Sequence, residues 1–164
     1  MAQINRLKIQ NMAAEFVQQA HHAEYLNLSV HSAGFEEVIV TMPYQQHIIA
    51  DKQLRKVCRS AYISLMDITA QACALCTLFY RMHRIISPYS MDMCVDYAHQ
   101  ASIGFPLFAR AQCAHFTPEL LLIRVIAYQH FIEVPLAYAW ASFPCTSKEP
   151  IPEQVQALLL GEQS

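Results

Sequence analysis

The sequence predicts an α+β fold in which an antiparallel sheet wraps around one long buried helix. Three observations carry that expectation. An apolar stripe runs without a break from Val57 to about Arg81 at helical spacing. Six short runs with strand character flank it, two before and four after. Hydrophobic residues make up 54% of the chain and charged residues only 15%, against about 25% charged in an average globular chain. Much of this surface must therefore be covered, by a core or by another subunit.

The elements follow in order. Residues 5 to 23 read as an amphipathic helix, because Ile9, Met12, Ala13, Phe16, Val17 and Ala20 recur on one face. Tyr25 to Ser32 and Phe35 to Pro43 read as paired strands, with Ala33-Gly34 as their turn. A polar stretch covers residues 44 to 56. Next, Val57, Ala61, Leu65, Ile68, Ala72, Leu75 and Phe79 step by threes and fours, and most remaining positions are apolar or small. A helix apolar nearly all round is a buried helix. Four alternating or apolar runs follow: Met91–Tyr97, Leu107–Cys113, Leu120–Tyr128 and Leu136–Ala141. Turns at Ile103-Gly104-Phe105-Pro106 and Thr117-Pro118 suggest a four-strand meander. Ala137, Ala139 and Ala141 form a face small enough to accept a closely packed helix. A single central helix excludes a doubly wound fold, which needs repeated crossover helices. Residues 1–143 are expected to form one domain, and 144–164 a proline-rich linker with a short helix over 152–161.

Composition narrows the function. A net charge of −2 offers no general attraction for nucleic acid. The loose basic cluster of Lys52, Arg55, Lys56 and Arg59 suits a solvated loop better than a phosphate site. Apolar runs are interrupted before the roughly 18 positions a membrane helix needs, so none is expected. The first residues lack the layout of a signal peptide. Six cysteines without an export signal read as reduced thiols in the cytoplasm. Cys73 and Cys76 form a C-x-x-C inside the apolar helix, with no second ligand pair at zinc spacing, and so read as core. No metal site or cofactor is called for. His21-His22 reads as a helix end, and Arg124 as paired or on the outside of the sheet.

The chemistry concentrates on the buried helix. Ser60, Ser64, Asp67 and Gln71 step by four, three and four and form one polar seam. Asp67 is the only charged residue between Ser60 and Tyr80. Burying an unpaired carboxylate costs several kcal/mol, so this one needs partners or an aqueous cleft. Such an acid can serve as general base on a water or attack a carbonyl itself. The alternative is that the seam is the helix's wet edge, with Asp67 capping or bonding a neighbouring chain.

Several stretches resemble one known family. Leu65-Met66-Asp67-Ile68-Thr69-Ala70 resembles the Leu-x-Asp-Thr-Ala stretch of the phenylacetate-degradation-type hotdog thioesterases. Ser90-Met91-Asp92-Met93-Cys94-Val95-Asp96-Tyr97 resembles the family's T-x-D-L-x-V-D-Y/F strand, and Gly104-Phe105-Pro106-Leu107-Phe108-Ala109-Arg110-Ala111 its G-x-x-L-x-A-x-A. Tyr25–Leu28 with Val38–Pro43 resembles its opening hairpin, and Val134–Phe143 its last strand. The resemblance spans about residues 16–143 and implies the hotdog fold. It also implies hydrolysis of acyl-CoA thioesters, with Asp67 as base or nucleophile, at sites between the subunits of a homodimer or homotetramer. Ser64 and Gln71 would orient the acid or the water.

One motif departs from the family pattern. Its His-Gly-Gly, which supplies oxyanion-binding N–H groups, falls on Cys58, Arg59 and Ser60, nine, eight and seven positions before Asp67. The N–H groups near Arg59 and Ser60 remain candidates for the oxyanion site. Cys58, Arg59 and His47 are candidates for substrate contacts, Arg59 toward a CoA phosphate. The changed motif also admits a second reading, a non-catalytic hotdog protein that binds an acyl-CoA-like ligand. Dehydratase chemistry would want a histidine paired with an acid across the groove, and none stands at a motif position.

Overall fold

The computed structural model describes residues 6–51, 53, 56–146, 156, 157 and 159. Lys52 and Arg55 of the basic cluster lie outside the described residues, as does most of the helix expected over 152–161.

Helix α1 (Arg6–Gln19) buries Ile9, Met12, Ala13 and Val17, the stripe its sequence spacing marks. The chain breaks at Ala20, which is extended, and resumes as α2 (His21–Leu26). Tyr25 and Leu26 are therefore helical, which corrects the strand expected from Tyr25. Local chemistry decides it. Asn27 adopts the left-handed conformation (φ 49°) and caps α2, its N–H bonding the carbonyls of Ala23 and Glu24. Strand β1 (Ser29–Ala33) then pairs with β2 (Glu37–Met42) around a turn closed by Gly34 N–H to Glu37 O at 2.7 Å. The polar stretch is not featureless. A 3-10 turn at Gln46–Ile48 leads into a small antiparallel ribbon of β3 (Ile49–Asp51) and β4 (Lys56–Val57).

Helix α3 (Arg59–Met82) is the long helix the stripe predicts. It ends at His83, also left-handed (φ 53°), whose N–H returns to Phe79 O. Its buried threonines are satisfied locally: Thr69 and Thr77 hydroxyls donate to the carbonyls of Leu65 and Cys73 at 2.6 and 2.8 Å. Cys73 and Cys76 are fully buried, as expected for core residues, and burial pushes the Cys76 thiol up to about 12. By length and composition α3 resembles a membrane span, but 72% of its apolar window is buried inside the domain, so it is a core helix.

Strands β5 (Asp92–Tyr97), β6 (Leu107–Phe116), β7 (Leu120–Tyr128) and β8 (Ala137–Pro144) complete a six-stranded antiparallel sheet in the order β1-β2-β6-β7-β8-β5. The four-strand meander is corrected to three strands. Strands β6, β7 and β8 are consecutive neighbours, whereas β5 pairs with the far side of β8. The nine residues 98–106 are too long for a tight hairpin and cross the end of the sheet instead. Gly104 (φ 93°) supplies the turn residue that L side chains disfavour.

The sheet's inner face is lined with alanines. Ala109, Ala111, Ala127, Ala137, Ala139 and Ala141 are essentially buried, and α3 lies against this face. Small residues let the helix approach closely, so contact is spread over backbone and Cβ atoms. Bulk comes from the helix side, where Leu65, Met66, Leu75 and Leu78 are fully buried. Truncating one of these leucines to alanine is worth about 2–5 kcal/mol.

Candidate functional site

The polar seam of α3 divides into two clusters. In the first, Asp67 is half-buried and held from two directions. The Gln71 amide, one turn later, donates to Oδ2 at 2.8 Å. The Ser90 hydroxyl, just before β5, donates to Oδ1 at 3.5 Å. Ser64, one turn before the acid, makes no hydrogen bond to it.

The second cluster sits at the helix start. Cys58 is the N-cap residue, and its N–H is held by Ile48 O at 2.7 Å. Its thiol lies 2.8 Å from the Ser60 hydroxyl. That contact, helped by the Ser60 N–H, holds the Cys58 thiol below its usual range; partial burial opposes this and the Ala61 N–H adds to it. The Arg59 guanidinium rests on the Tyr97 ring at 4.6 Å from its centroid, bridging α3 to the end of β5. His47 packs its ring against Tyr25 at 4.3 Å and places Nε2 3.0 Å from the Tyr25 carbonyl oxygen. These residues border a cleft of about 220 Å³ lined by His22, Tyr25, His47, Cys58, Ser60 and Ser64, among others.

The sequence-derived candidates are therefore split in two. His47, Cys58, Ser60 and Ser64 share the helix-start cleft, Asp67 and Gln71 lie further along the helix, and Arg59 is turned onto Tyr97. Seven residues at 1.5 Å rise put Ser60 about 10 Å from Asp67 along the same helix face. Sequence reasoning missed Ser90, although it opens the Ser-Met-Asp-Met stretch. It also missed His22 and Tyr25 as cleft residues, the latter because it was read as strand.

Six antiparallel strands around one long central helix define the hotdog fold, and solved structures bear this out. A Pseudomonas aeruginosa protein matches with a TM-score of 0.73 and 26% identity, over 83% of this chain and 98% of its own. The Escherichia coli PaaI protein of the phenylacetic acid degradation operon matches with a TM-score of 0.71 and 14% identity, over 85% and 94%. Mouse thioesterase superfamily member 2 matches with a TM-score of 0.66 and 16% identity, over 88% and 99%. The chain thus has the fold of thioesterase-superfamily hotdog proteins. No protein-family model matches the sequence, and no curated protein matches it.

Proposed function

We propose that the protein hydrolyses an acyl thioester, of the acyl-CoA class, with Asp67 as general base or nucleophile. The observation that carries this reading is the setting of Asp67, the lone carboxylate on an apolar core helix, half-buried and oriented by Gln71 and Ser90. Gln71 occupies Oδ2 with a donor at 2.8 Å, while the Ser90 contact to Oδ1 is longer, at 3.5 Å. Oδ1 is the oxygen left to take a proton from water or to attack the thioester carbon. The developing oxyanion needs N–H donors. The first-turn N–H groups of Arg59 and Ser60 have no carbonyl partner one turn back and suit that role, the Ser60 N–H once it turns from the Cys58 thiol to the substrate. On the base route the hydroxide adds to the carbonyl carbon, the C–S bond breaks, and CoA leaves with the proton that Asp67 took. On the nucleophilic route CoA leaves first, and a water then hydrolyses the acyl–Asp67 anhydride, restoring the carboxylate.

A separation of about 10 Å is too great for Ser60 and Asp67 of one chain to act on one carbonyl. The reading therefore pairs Asp67 of one subunit with the helix start of a second, in a homodimer or a larger homo-oligomer. Ser64 stands between the two clusters, where a water would sit. Cys58 and His47 line the approach. Arg59, displaced from Tyr97, reaches toward a CoA phosphate. The compartment that fits is the cytoplasm.

A second reading has one specific observation behind it. Arg59 and Ser60 carry side chains where the substrate carbonyl would have to approach the backbone, and Arg59 is already engaged by Tyr97. A hotdog protein that binds an acyl-CoA-like ligand without cleaving it fits this as well. The test is thiol release from acyl-CoAs, short to long, aliphatic and aromatic, with Asp67→Ala alongside. Turnover that vanishes in the variant supports the hydrolase. Full activity in the variant contradicts the role of Asp67. No turnover across the panel, with CoA-dependent thermal stabilisation, transfers the weight to the binding protein.

A further inference from the structure

The outer face of the sheet, turned away from α3, carries a constellation that the Asp67 chemistry does not use. Cross-strand register sets Glu37, Gln112, Arg124 and Trp140 in one row across β2, β6, β7 and β8. Side chains alternate along a strand, and the residues flanking these four in sequence, among them Val38, Ala111, Val125 and Ala139, are buried on the inner side. The row therefore faces outward, where it lines a groove of about 510 Å³ beside the β1–β2 turn.

The groove's charged lining is Glu36, Glu37 and Arg124, and only the two carboxylates have ion-pair partners. Glu36 pairs with Arg81 at 2.5 Å, and Glu37 with Arg110 at 2.6 Å. The third cation, Arg124, meets only a neutral acceptor, donating to Gln112 Oε1 at 3.1 Å. Gln112 is itself oriented, because its amide nitrogen donates to Glu37 Oε2 at 2.6 Å. The chain Arg110–Glu37–Gln112 thus turns a fixed carbonyl toward Arg124 and holds its guanidinium at the groove. With each lining carboxylate engaged by an arginine from beside the groove, Arg124 is the lining charge that keeps no counter-ion: among the described residues no carboxylate pairs with it. Trp140 stands directly across from Arg124, and the residue is 44% exposed.

A guanidinium with free donors recognises carboxylate or phosphate oxygens, often in bidentate fashion. An exposed indole offers its face to a planar ring. We propose that this groove binds an anion carried on an aromatic ring, such as a nucleoside monophosphate or an aromatic carboxylate. The site lies on the opposite side of the sheet from the helix, so it stands independently of the hydrolase reading.

Trp140 is the only tryptophan in the chain, so its emission reports on this groove directly. The full-length protein is titrated with AMP, benzoate, adenosine and inorganic phosphate while tryptophan emission is followed. Saturable quenching by AMP or by benzoate is expected, and which of the two binds more tightly identifies the source of the anion. Adenosine and phosphate, each carrying half of the chemistry, bind more weakly. Arg124→Gln, an exposed change that leaves the fold intact, weakens binding about tenfold or more. No saturable quenching by either ring-borne anion, or unchanged affinity in Arg124→Gln, overturns the proposal. So does emission that ignores both ligands but shifts as the protein is diluted, since a second copy would then cover this face.

Discussion

The start and the middle of α3 lie on one helix face, yet they treat their polar groups in opposite ways. At the start, Cys58, Arg59 and Ser60 engage one another or the tip of β5, and the cluster borders an open cleft. In the middle, Asp67 is approached by donors from two separate segments, a turn of its own helix and Ser90, two residues before β5. Asp67 is oriented chiefly by Gln71 at 2.8 Å, whereas the first-turn side chains satisfy one another and cover the helix-start backbone. The contrast teaches that the two polar clusters are separate devices about 10 Å apart on one helix, so under the proposed hydrolysis a single chain could not bring both to one carbonyl.

The largest predicted effect breaks the acid. Asp67→Asn, nearly isosteric and half-buried, should lower thiol release by about 100- to 10,000-fold while leaving the melting temperature near that of the parent. Removing a donor comes next. Proline is tolerated in the first helical turn but lacks the N–H, so Ser60→Pro should cost about 100- to 1,000-fold in kcat with α3 intact by circular dichroism. A smaller loss is expected from Gln71→Ala, which frees the carboxylate from a charge-assisted hydrogen bond and should cost about tenfold in kcat. The smallest concerns the thiol. Ser60→Ala removes the contact that most lowers the Cys58 pKa, so its alkylation profile should move to higher pH, since only the thiolate reacts. A profile that stays in place would show that the helix-start N–H groups, not the hydroxyl, control this thiol.

Periodic features of the fold were readable from sequence. The stripe from Val57 to Phe79 marks α3 to within a few residues, and the alternation of alanine with Tyr138 and Trp140 marks both faces of β8. Strand neighbours were not readable. Alternation states which residues point inward but is silent about which edge a strand joins, and β5 took the far side of β8 rather than the side of β6. The two residues of β4 are too few to display any period, so the β3–β4 ribbon was read as polar loop. Asp67 stood out because a lone charge on an apolar helix needs a reason, and Gln71 followed at helical spacing. Ser90 reaches the same carboxylate from 23 residues away, and no local pattern encodes that contact. The seat of Arg59 on Tyr97 is equally a product of tertiary packing.

The most direct test mixes two inactive subunits. Asp67→Asn and Ser60→Pro chains, each purified, are combined under mild denaturant, reassembled and assayed for thiol release. If the acid of one subunit works with the helix start of its partner, a mixed dimer holds one intact site and one doubly broken site. Activity should then return to about a quarter of the wild-type level in a statistical mixture. A mixture that stays as inactive as its components, although mixed dimers are demonstrated by mass, would contradict the shared site.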